Sequence, residues 1–466
     1  MKQTKTTIGA LAMGVALSMA CGSSSGGGAS PPAPVLPPSQ PLVGCVASRP
    51  AVAHHGGAKA IDPTPANAPE PCSSSTGMAA WDPTLVLTQS GKVLFGPAQA
   101  PGLAMSDNNG MTWAALAPLP SPPGGTLYHP WLWRDAASKR IFFNLFGDSG
   151  TCPDGTGATL WFSDDEGTTW TNQPVGCGSK DWGKVVTGTP ATAASKSALA
   201  ASGFPSVVYY SATGPDLFIG PDHMLFRSLD GGKTFSRTAK DPDDTVGFPT
   251  SGTVGPDGTV YFPVGSPNGL TVTFSKDEGD TWKTTVIKGS SFRGDFAHET
   301  NWLSFNVTTD SAGNVYVTWT DDKDLLPYVS VSRDGAATWS APVMIAPAGV
   351  EASAMPNIAA KIPGYVAIEY YGSPQAMAAG GANAYTANDG RPYSAYVTVT
   401  TNLFADAPLF WTATINDPAT PVFMGRDAST SEYAGYPVFA EDGTIWAAFI
   451  SGGNGLAARM TAPPND

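Results

Sequence analysis

The amino-acid sequence predicts an all-β protein built from repeated units, and three observations support this prediction. Five copies of one short pattern, Ser-x-Asp-x-Gly-x-Thr-Trp, occur between residues 106 and 339. Short β-rich segments that open on a glycine-containing turn run between the copies. Charged residues make up only 14% of the chain, whereas glycine (53) and proline (43) are abundant. A repeat of about 50 residues indicates one supersecondary unit that buries its apolar face against the next copy.

The repeated pattern has the composition of a hairpin turn. Its copies are Ser106–Trp113, Ser163–Trp170, Ser228–Phe235, Ser275–Trp282 and Ser332–Trp339. Ser and Asp side chains accept hydrogen bonds from turn amides, and glycine supplies backbone freedom. Two copies depart from the pattern, because Asn108 replaces the aspartate in the first and Ala336 replaces the glycine in the last.

This pattern resembles the Asp-box of the sialidase and BNR-repeat superfamily. The resemblance implies a β-propeller in which each box lies at the outer edge of a blade, between its third and fourth strands. It implies a structural role for the residues at the Asp position, with catalysis or metal binding as the alternative. These residues are Asn108, Asp165, Asp230, Asp277 and Asp334.

The spacing of the strand segments predicts seven blades. Second strands are expected at Gly91–Phe95, Lys139–Phe143, Asp257–Phe262, Ala312–Trp319, Tyr365–Tyr371 and Asp442–Trp446. The seventh segment (432–462) lacks a fourth strand, and part of residues 43–60 is expected to supply it and close the ring. Six blades are the alternative, if the last segment is shared with the first. One short helix is expected at Ala191–Ala201, in an insertion between blades two and three.

The N-terminus has the features of an export signal. Residues 1–20 contain Lys2 and Lys5 followed by an apolar run, which is too short to remain as a membrane anchor. The run ends at Cys21 in a context that resembles a bacterial lipoprotein box, although Ser18 stands where leucine is usual. We therefore expect a lipid on Cys21, a flexible linker over 21–44, an N-terminal extension over 45–80 and the propeller over 81–466. Ordinary cleavage and release is the alternative.

Four further cysteines predict two disulfides in an exported protein. Proximity in sequence favours Cys45 with Cys72 and Cys152 with Cys177, although three connectivities are possible. Their spacing does not fit a zinc site. The net charge of −13 argues against nucleic acid and against electrostatic docking to anionic lipid.

Candidate site residues concentrate in two connections between blades, where propeller loops surround the central channel. The first contains Arg293, Asp295, His298 and Glu299, and the second contains Arg426, Glu432 and Tyr433. Groups of this kind, placed together in loops, can bind or turn over a polar ligand. The pairs Tyr128-His129 and Asp222-His223 are further candidates.

The resemblance to sialidases concerns the fold and does not extend to the residues of the sialidase active site. Catalytic sialidases hold the substrate carboxylate with three arginines, one of them in a Phe/Tyr-Arg-Ile-Pro motif ahead of the first box. Here no arginine lies between Arg49 and Arg134. Arg293, Arg391 and Arg426 are possible replacements. The adjacent Glu432 and Tyr433 do not reproduce the family's Tyr–Glu pair, because neighbours on a strand point to opposite faces.

The sequence therefore predicts an exported, lipid-anchored monomer at a bacterial outer membrane or cell surface, with a periplasmic or secreted form as the alternative. Its loop face is expected to bind an extracellular glycan or protein. A glycan-cleaving enzyme (a divergent exo-sialidase, another glycoside hydrolase or a lyase) is the alternative, and a surface scaffold is a third reading. No cofactor is expected; calcium at Asp241–Asp244 or Asp321–Asp324 is the alternative to solvated turns.

Overall fold

In the computed structural model, the regular secondary structure of the described residues consists of β-strands and one short α-helix. The described segments are 50–57, 61–62, 67–80, 82–97, 102–120, 127–147, 157–178, 181–213, 223–239, 251–266, 268–291, 305–376, 391–416, 419–424 and 435–464. Within them the strands form seven sheets. The protein is a seven-bladed β-propeller, which confirms the predicted fold class and excludes the six-bladed alternative.

The strands and the single described helix follow one another along the chain as follows. The N-terminal extension supplies β1 (Val52–His55) and β2 (Pro71–Ala79). Blade 1 contains β3 (Thr84–Leu87), β4 (Val93–Gly96), β5 (Ala104–Ser106) and β6 (Ala114–Ala115). Blade 2 contains β7 (Leu127–Arg134), β8 (Ile141–Gly147), β9 (Ala158–Ser163) and β10 (Thr171–Val175). Blade 3 contains β11 (Asp181–Gly188), α1 (Ala193–Ser202), β12 (Val207–Thr213), β13 (His223–Ser228) and β14 (Ser236–Arg237).

The remaining blades follow the same order. Blade 4 contains β15 (Thr253–Val254), β16 (Val260–Ser266), β17 (Gly269–Ser275) and β18 (Lys283–Val286). Blade 5 contains β19 (Phe305–Thr309), β20 (Val315–Thr320), β21 (Pro327–Ser332) and β22 (Val343–Met344). Blade 6 contains β23 (Ala352–Ala360), β24 (Val366–Ser373), β25 (Pro392–Thr400), β26 (Leu409–Thr414) and the short β27 (Phe423–Met424), which pairs with β25. Blade 7 contains β28 (Val438–Phe439), β29 (Ile445–Ser451) and β30 (Asn454–Met460).

The first strand of each blade lies innermost, and these seven strands form a closed ring. Strands β3, β7, β11, β15, β19, β23 and β28 each contact the next in this order, and β28 contacts β3. Because the strands within a blade are antiparallel, the turns between first and second strands lie at the same end of the ring as the turns between third and fourth strands. We call this end the turn face and the opposite end the loop face.

Both N-terminal strands add to blades at the end of the chain. Strand β2 pairs with β30 and becomes the fourth strand of blade 7, with Pro71 opposite Met460. Strand β1 pairs with β26 and becomes a fifth, outer strand of blade 6. The prediction that part of residues 43–60 closes the ring is therefore wrong in its range, because the described part of that range joins blade 6 while Pro71–Ala79 completes blade 7.

The helix also differs from its predicted position. It lies inside blade 3, between β11 and β12, and not between blades two and three. Thr192 caps its N-terminus by accepting from the Ser195 amide, and Gly203 ends it with a φ of 76°.

The five repeated patterns form the turns between third and fourth strands of blades 1 to 5, and they share one hydrogen-bond network. In the last copy Ser332 Oγ donates to Asp334 Oδ1 over 2.8 Å and accepts from the Ala336 amide at 2.8 Å. In the first copy Asn108 Oδ1 accepts from Ser106 Oγ at 3.0 Å, and its Nδ2 donates to Thr112 Oγ1 at 2.7 Å. Asparagine thus replaces aspartate without loss of the network.

Candidate functional site

Three of the seven inner strands carry irregularities in their N-terminal halves, toward the loop face. The pairing register shifts between Tyr128 and Trp131 in β7, between Asp181 and Lys184 in β11, and between Ala354 and Asn357 in β23. His129 and Met355 lie in two of these bulges with a positive φ of 55° each. A non-glycine residue in this region is strained, and bulges beside functional sites re-aim side chains. The loop-face end of the channel is therefore the candidate site.

Trp131 is the centre of this region. Its Nε1 donates to the Val185 carbonyl over 2.7 Å, which fixes the ring against blade 3. The ammonium of Lys184 lies 4.5 Å from the ring centroid, and the ring of Tyr436 meets it edge-on at 5.7 Å. A cation over an indole face and an aromatic edge against it are favourable geometries.

Tyr436 extends across the channel from blade 7. Its ring contacts Trp131 of blade 2, and its hydroxyl donates to the Val307 carbonyl of blade 5 over 3.4 Å. Burial raises the pKa of Tyr436, so the phenol stays protonated. The preceding Gly435 permits this path, because a Cβ there would lie 2.8 Å from the Pro83 carbonyl oxygen.

Glu369 lies in the middle of β24 and is completely buried. Neither carboxyl oxygen has a hydrogen-bond partner in the described part of the chain. Burial raises the pKa of Glu369 well above its ordinary value, which favours the neutral acid over the carboxylate. Glu369 interacts electrostatically with Tyr371 and Tyr436, whose pKa values are raised chiefly by burial.

A histidine–carboxylate pair completes the site. His129 Nδ1 lies 2.8 Å from Oδ2 of Asp82, and the side chains are 14% and 4% exposed. Asp82 fixes the orientation of the imidazole, as an orienting carboxylate does beside a general base. We call Asp82, His129, Trp131, Lys184, Glu369 and Tyr436 the channel cluster. It draws on blades 2, 3, 6 and 7 and on the segment that leads into blade 1.

The sequence-predicted candidates do not coincide with this cluster, apart from His129. Arg293, Asp295, His298, Glu299, Arg426, Glu432 and Tyr433 lie outside the described residues, as do Cys21, Cys45 and Cys152. Arg391 is buried, with its guanidinium 5.9 Å from the Tyr393 ring. His223 is a core residue: its ring lies 4.5 Å from that of Phe262, and burial lowers its pKa to about 3.

Of the channel cluster, sequence reasoning missed Asp82, Trp131, Lys184, Glu369 and Tyr436. One signal for Glu369 was present, because it is the single charged residue in the apolar run Val-Ala-Ile-Glu-Tyr-Tyr. No local pattern marks Tyr436, which lies just ahead of the short strand β28.

The structure describes only the second of the two acidic segments considered for calcium. Asp241–Asp244 lies outside the described residues. Asp321 is buried rather than solvated, and its Oδ2 accepts from the Ser291 amide and from Trp319 Nε1 at 2.8 and 3.0 Å. Asp324 Oδ2 accepts from the Tyr328 hydroxyl at 2.8 Å. Among the described residues no group of three or more His, Cys, Asp or Glu is placed to hold a metal ion.

Across the described segments, no helix has the length and apolar character needed to cross a membrane. No protein-family model matches the chain, and no curated protein matches it either.

Several solved structures resemble the chain in fold. Virginiamycin B lyase from Staphylococcus aureus has a TM-score of 0.51 at 12% identity, covering 84% of this chain and 99% of the lyase. The Hadza microbial sialidase Hz136 has a TM-score of 0.42 at 16% identity and covers 64% of this chain. The match spans 64% of that sialidase's own length. An Aleuria aurantia lectin in complex with Fucα1-6GlcNAc has a TM-score of 0.41 at 10% identity, covering 70% of this chain and 93% of the lectin. Sialidases are thus among its structural neighbours, and at such identities the likeness concerns the propeller fold alone.

Proposed function

We propose that the protein is a glycan-binding propeller whose ligand approaches the channel from the loop face. The observation that carries this proposal is the channel cluster, which brings aromatic rings and hydrogen-bonding groups together from several blades. Sugar rings present both apolar C–H faces and hydroxyls, so a site for them combines aromatic surface with convergent polar groups. Lys184 supplies an ammonium over Trp131, Tyr436 supplies a second ring, and His129 supplies an imidazole held by Asp82.

The test is binding of the purified protein to a glycan array, followed by titration of the best ligand. Lys184→Met keeps the length of the side chain and removes the ammonium, and His129→Ala removes the imidazole. We expect each to weaken binding about tenfold, since each removes one polar contact. The matched control is Lys196→Met on the exposed side of α1, which should bind like the unaltered protein.

Unchanged affinity in both channel variants would contradict the loop-face site. Binding to no glycan, together with capture of a defined extracellular protein, would turn the proposal toward a protein ligand.

A glycan-cleaving enzyme is the second candidate, and Glu369 is the observation that favours it. A carboxylic acid whose pKa is raised by burial can donate a proton to a leaving group, and carboxyl groups of this kind serve as acids in glycoside hydrolysis. The oriented His129–Asp82 pair adds a possible base. A panel of fluorogenic glycosides, including an α-sialoside, tests this reading with Glu369→Gln as the matched variant. Turnover that is lost in Glu369→Gln would support an enzyme, and absence of turnover across the panel would favour the binder.

We further propose that the protein is exported and held at a bacterial outer membrane or cell surface by a lipid on Cys21. The proposal rests on the N-terminal sequence, in which an apolar run ends at Cys21 and a Gly/Ser/Pro-rich segment follows. We also propose that the propeller acts as a monomer and carries the disulfides Cys45–Cys72 and Cys152–Cys177.

A further inference from the structure

Neighbouring blades are joined at the turn face by a repeated carboxylate contact. Glu166, in the turn between the third and fourth strands of blade 2, accepts from the Ser90 amide at 2.7 Å and from the Ser90 hydroxyl at 2.5 Å. Ser90 lies in the turn between the first two strands of blade 1. The same position of the turn in blade 4 is Glu278, which accepts from the Ala191 and Thr192 amides of blade 3 at 2.8 and 3.0 Å. A glutamate at this position thus binds backbone amides of the preceding blade.

The junction between blades 2 and 3 is filled differently. The corresponding residue in blade 3 is Gly231, whose carbonyl accepts from Arg140 Nη1 of blade 2 at 2.6 Å. The guanidinium of Arg140 also pairs with Asp164, with Nη2 2.6 Å from Oδ2. A long polar side chain therefore fills this junction as well.

The described residues at the junction between blades 7 and 1 make no such contact. The corresponding residue is Asn109, which has the same left-handed backbone as the two glutamates (φ 60°, against 58° and 60°). Its shorter side chain makes no hydrogen bond in the described part of the chain. Between Asn109, the blade 1 turn at Thr88–Gly91 and the blade 7 turn at Ala440–Thr444 lies a cleft of about 380 Å³. This volume is within the usual range for small-molecule sites, at its lower end.

Two arginines face this cleft. Arg134, at the end of β7, is half-buried and makes neither a hydrogen bond nor an ion pair within the described segments. Its burial lowers the pKa of Arg134, which shows that the guanidinium is partly desolvated. Arg459 of β30 also lines the cleft and is 6% exposed, with its guanidinium 6.0 Å from the Trp446 ring. The charges of Glu441, Glu166 and Asp135 act on Arg134, but no carboxylate pairs directly with its guanidinium among the described residues. The planar donors of a partly desolvated guanidinium match a carboxylate ligand.

We propose that this cleft binds the carboxylate of a small polyhydroxylated molecule, of the sugar-acid class. The ligand carboxylate takes the place that Glu166 and Glu278 fill at their two junctions, and Arg134 binds it. The side chains of Thr88, Gln89 and Ser90 line the same cleft and suit the hydroxyls of a sugar ring. The site lies on the turn face, so it is distinct from the loop-face site proposed above and does not depend on it.

The acidic residues at the cleft leave room for this ligand. Asp442 Oδ1 already accepts from the Thr444 amide at 2.9 Å. Glu441 is exposed at the rim, where water and salt screen its charge. The carboxylate of Glu166 already accepts hydrogen bonds from the Ser90 amide and hydroxyl.

The test compares two probes that differ only at C6, methyl β-glucuronide and methyl β-glucoside, by calorimetric titration of the purified protein. We expect saturable binding of the glucuronide and at least about tenfold weaker binding of the glucoside. Arg134→Gln should reduce glucuronide binding by a similar factor. Asn109→Glu should place a carboxylate in the cleft as in blades 2 and 4, so it should also abolish binding while retaining the fold. Asn109→Gln is the matched control, because it lengthens the side chain without the charge.

Each other result would overturn the proposal. Equal binding of the two probes would show that the protein does not recognise the carboxylate. Unchanged glucuronide binding by Asn109→Glu and Arg134→Gln would show that the ligand binds outside this cleft. Lack of saturable binding by the unaltered protein would reject the site. Retention of glucuronide binding by His129→Ala is expected, and its loss would assign the ligand to the channel cluster instead.

Discussion

Thr338 Oγ1 donates to Asp334 Oδ2 over 2.6 Å, and the Thr338 amide donates to Oδ1 of the same carboxylate at 2.8 Å. The same two bonds recur in the turns at Asp165, Asp230 and Asp277. Hydrogen bonds from the Thr338 hydroxyl and amide lower the pKa of Asp334 to about 2. The folded turn therefore favours the ionised form of Asp334 over its protonated form.

This relationship predicts acid sensitivity of the turns. Because the folded pKa of Asp334 is lowered, its contribution is complete above pH 4 and is lost as the pH falls toward about 2. Asp334→Ala should destabilise the protein by about 1 kcal/mol at pH 7, because the donors of the turn lose their acceptor. Asp334→Asn should be nearly neutral, since Asn108 serves the same purpose in blade 1. Denaturant unfolding at pH 7 and pH 3 measures both variants, and a large loss in Asp334→Asn would contradict this account.

The Glu278 contact predicts a large loss of stability on truncation. Glu278 is fully buried and accepts from two backbone amides, from Ser195 Oγ and from Arg227 Nη1 at 3.1 Å. Glu278→Ala leaves these donors without an acceptor, so we expect a cost of about 3 kcal/mol. Lys276→Ala, at an exposed position of the same turn, is the control and should change the free energy of unfolding by less than about 0.5 kcal/mol. Equal effects of the two substitutions would rule out a specific contact between blades 3 and 4.

His54 predicts that the outermost strand of blade 6 loosens in acid. The imidazole is buried, stacks on Phe410 with centroids 5.8 Å apart, and has Nε2 2.8 Å from Thr412 Oγ1. Burial lowers the pKa of His54 to about 4, so the folded state favours the neutral ring. Stability is therefore complete above the unfolded pKa of about 6.5 and falls as the pH drops from 6.5 toward 4, by up to about 3 kcal/mol.

Hydrogen exchange of β1 and β26 at pH 7 and pH 4.5 measures this effect. His54→Gln should weaken the pH dependence, because the amide cannot take up a proton. His55→Gln is the control at a half-exposed neighbouring position. Identical acid-induced exchange in all three proteins would show that another group titrates.

The predicted disulfides are testable by peptide mapping. Cys72 is buried in β2, and Cys177 follows β10 in an exposed turn. We expect peptides that join Cys45 to Cys72 and Cys152 to Cys177 in the unreduced protein, and a loss of about 3 kcal/mol for each bond removed, because each closes a loop of moderate length. Cys152→Ser with Cys177→Ser removes one bond without leaving a free thiol. Any other pairing would contradict the prediction from proximity.

Lipidation of Cys21 is testable in cells. The protein expressed with its own N-terminus should partition into the detergent phase and carry a diacylglycerol-modified Cys21 by mass spectrometry. Cys21→Ser should partition into the aqueous phase, whereas Ser23→Ala, in the same linker, should not. An unmodified Cys21 in the mature protein would leave signal cleavage and release as the better account.

The sequence revealed the parts of the fold that are encoded locally. Each repeated turn carries its own Ser, Asp and Thr donors and acceptors, so five blades could be located from it. The closing strand could not, because β2 (Pro-Cys-Ser-Ser-Ser-Thr-Gly-Met-Ala) has no alternating apolar pattern and owes its conformation to β30.

The channel cluster was hidden for a related reason. Its members come from positions as distant as Asp82 and Tyr436, and only the closed ring brings them together. Glu369 was overlooked because a single acid within a strand has no spacing to recognise. The sequence identified His129 as a candidate loop residue. Its pairing with Asp82 depends on the bulge in β7, which no local sequence pattern predicts.

Closure of blade 7 by β2 also sets an order of events during synthesis. Pro71 pairs with Met460, so β2 has no partner until almost the entire described chain has been made. Until then its edge is open to wrong pairing, and a contact between such distant residues forms slowly. We therefore infer that the ring closes last, after translation is nearly complete. If the chain crosses a membrane unfolded, this late step delays premature folding and keeps the polypeptide competent for transport.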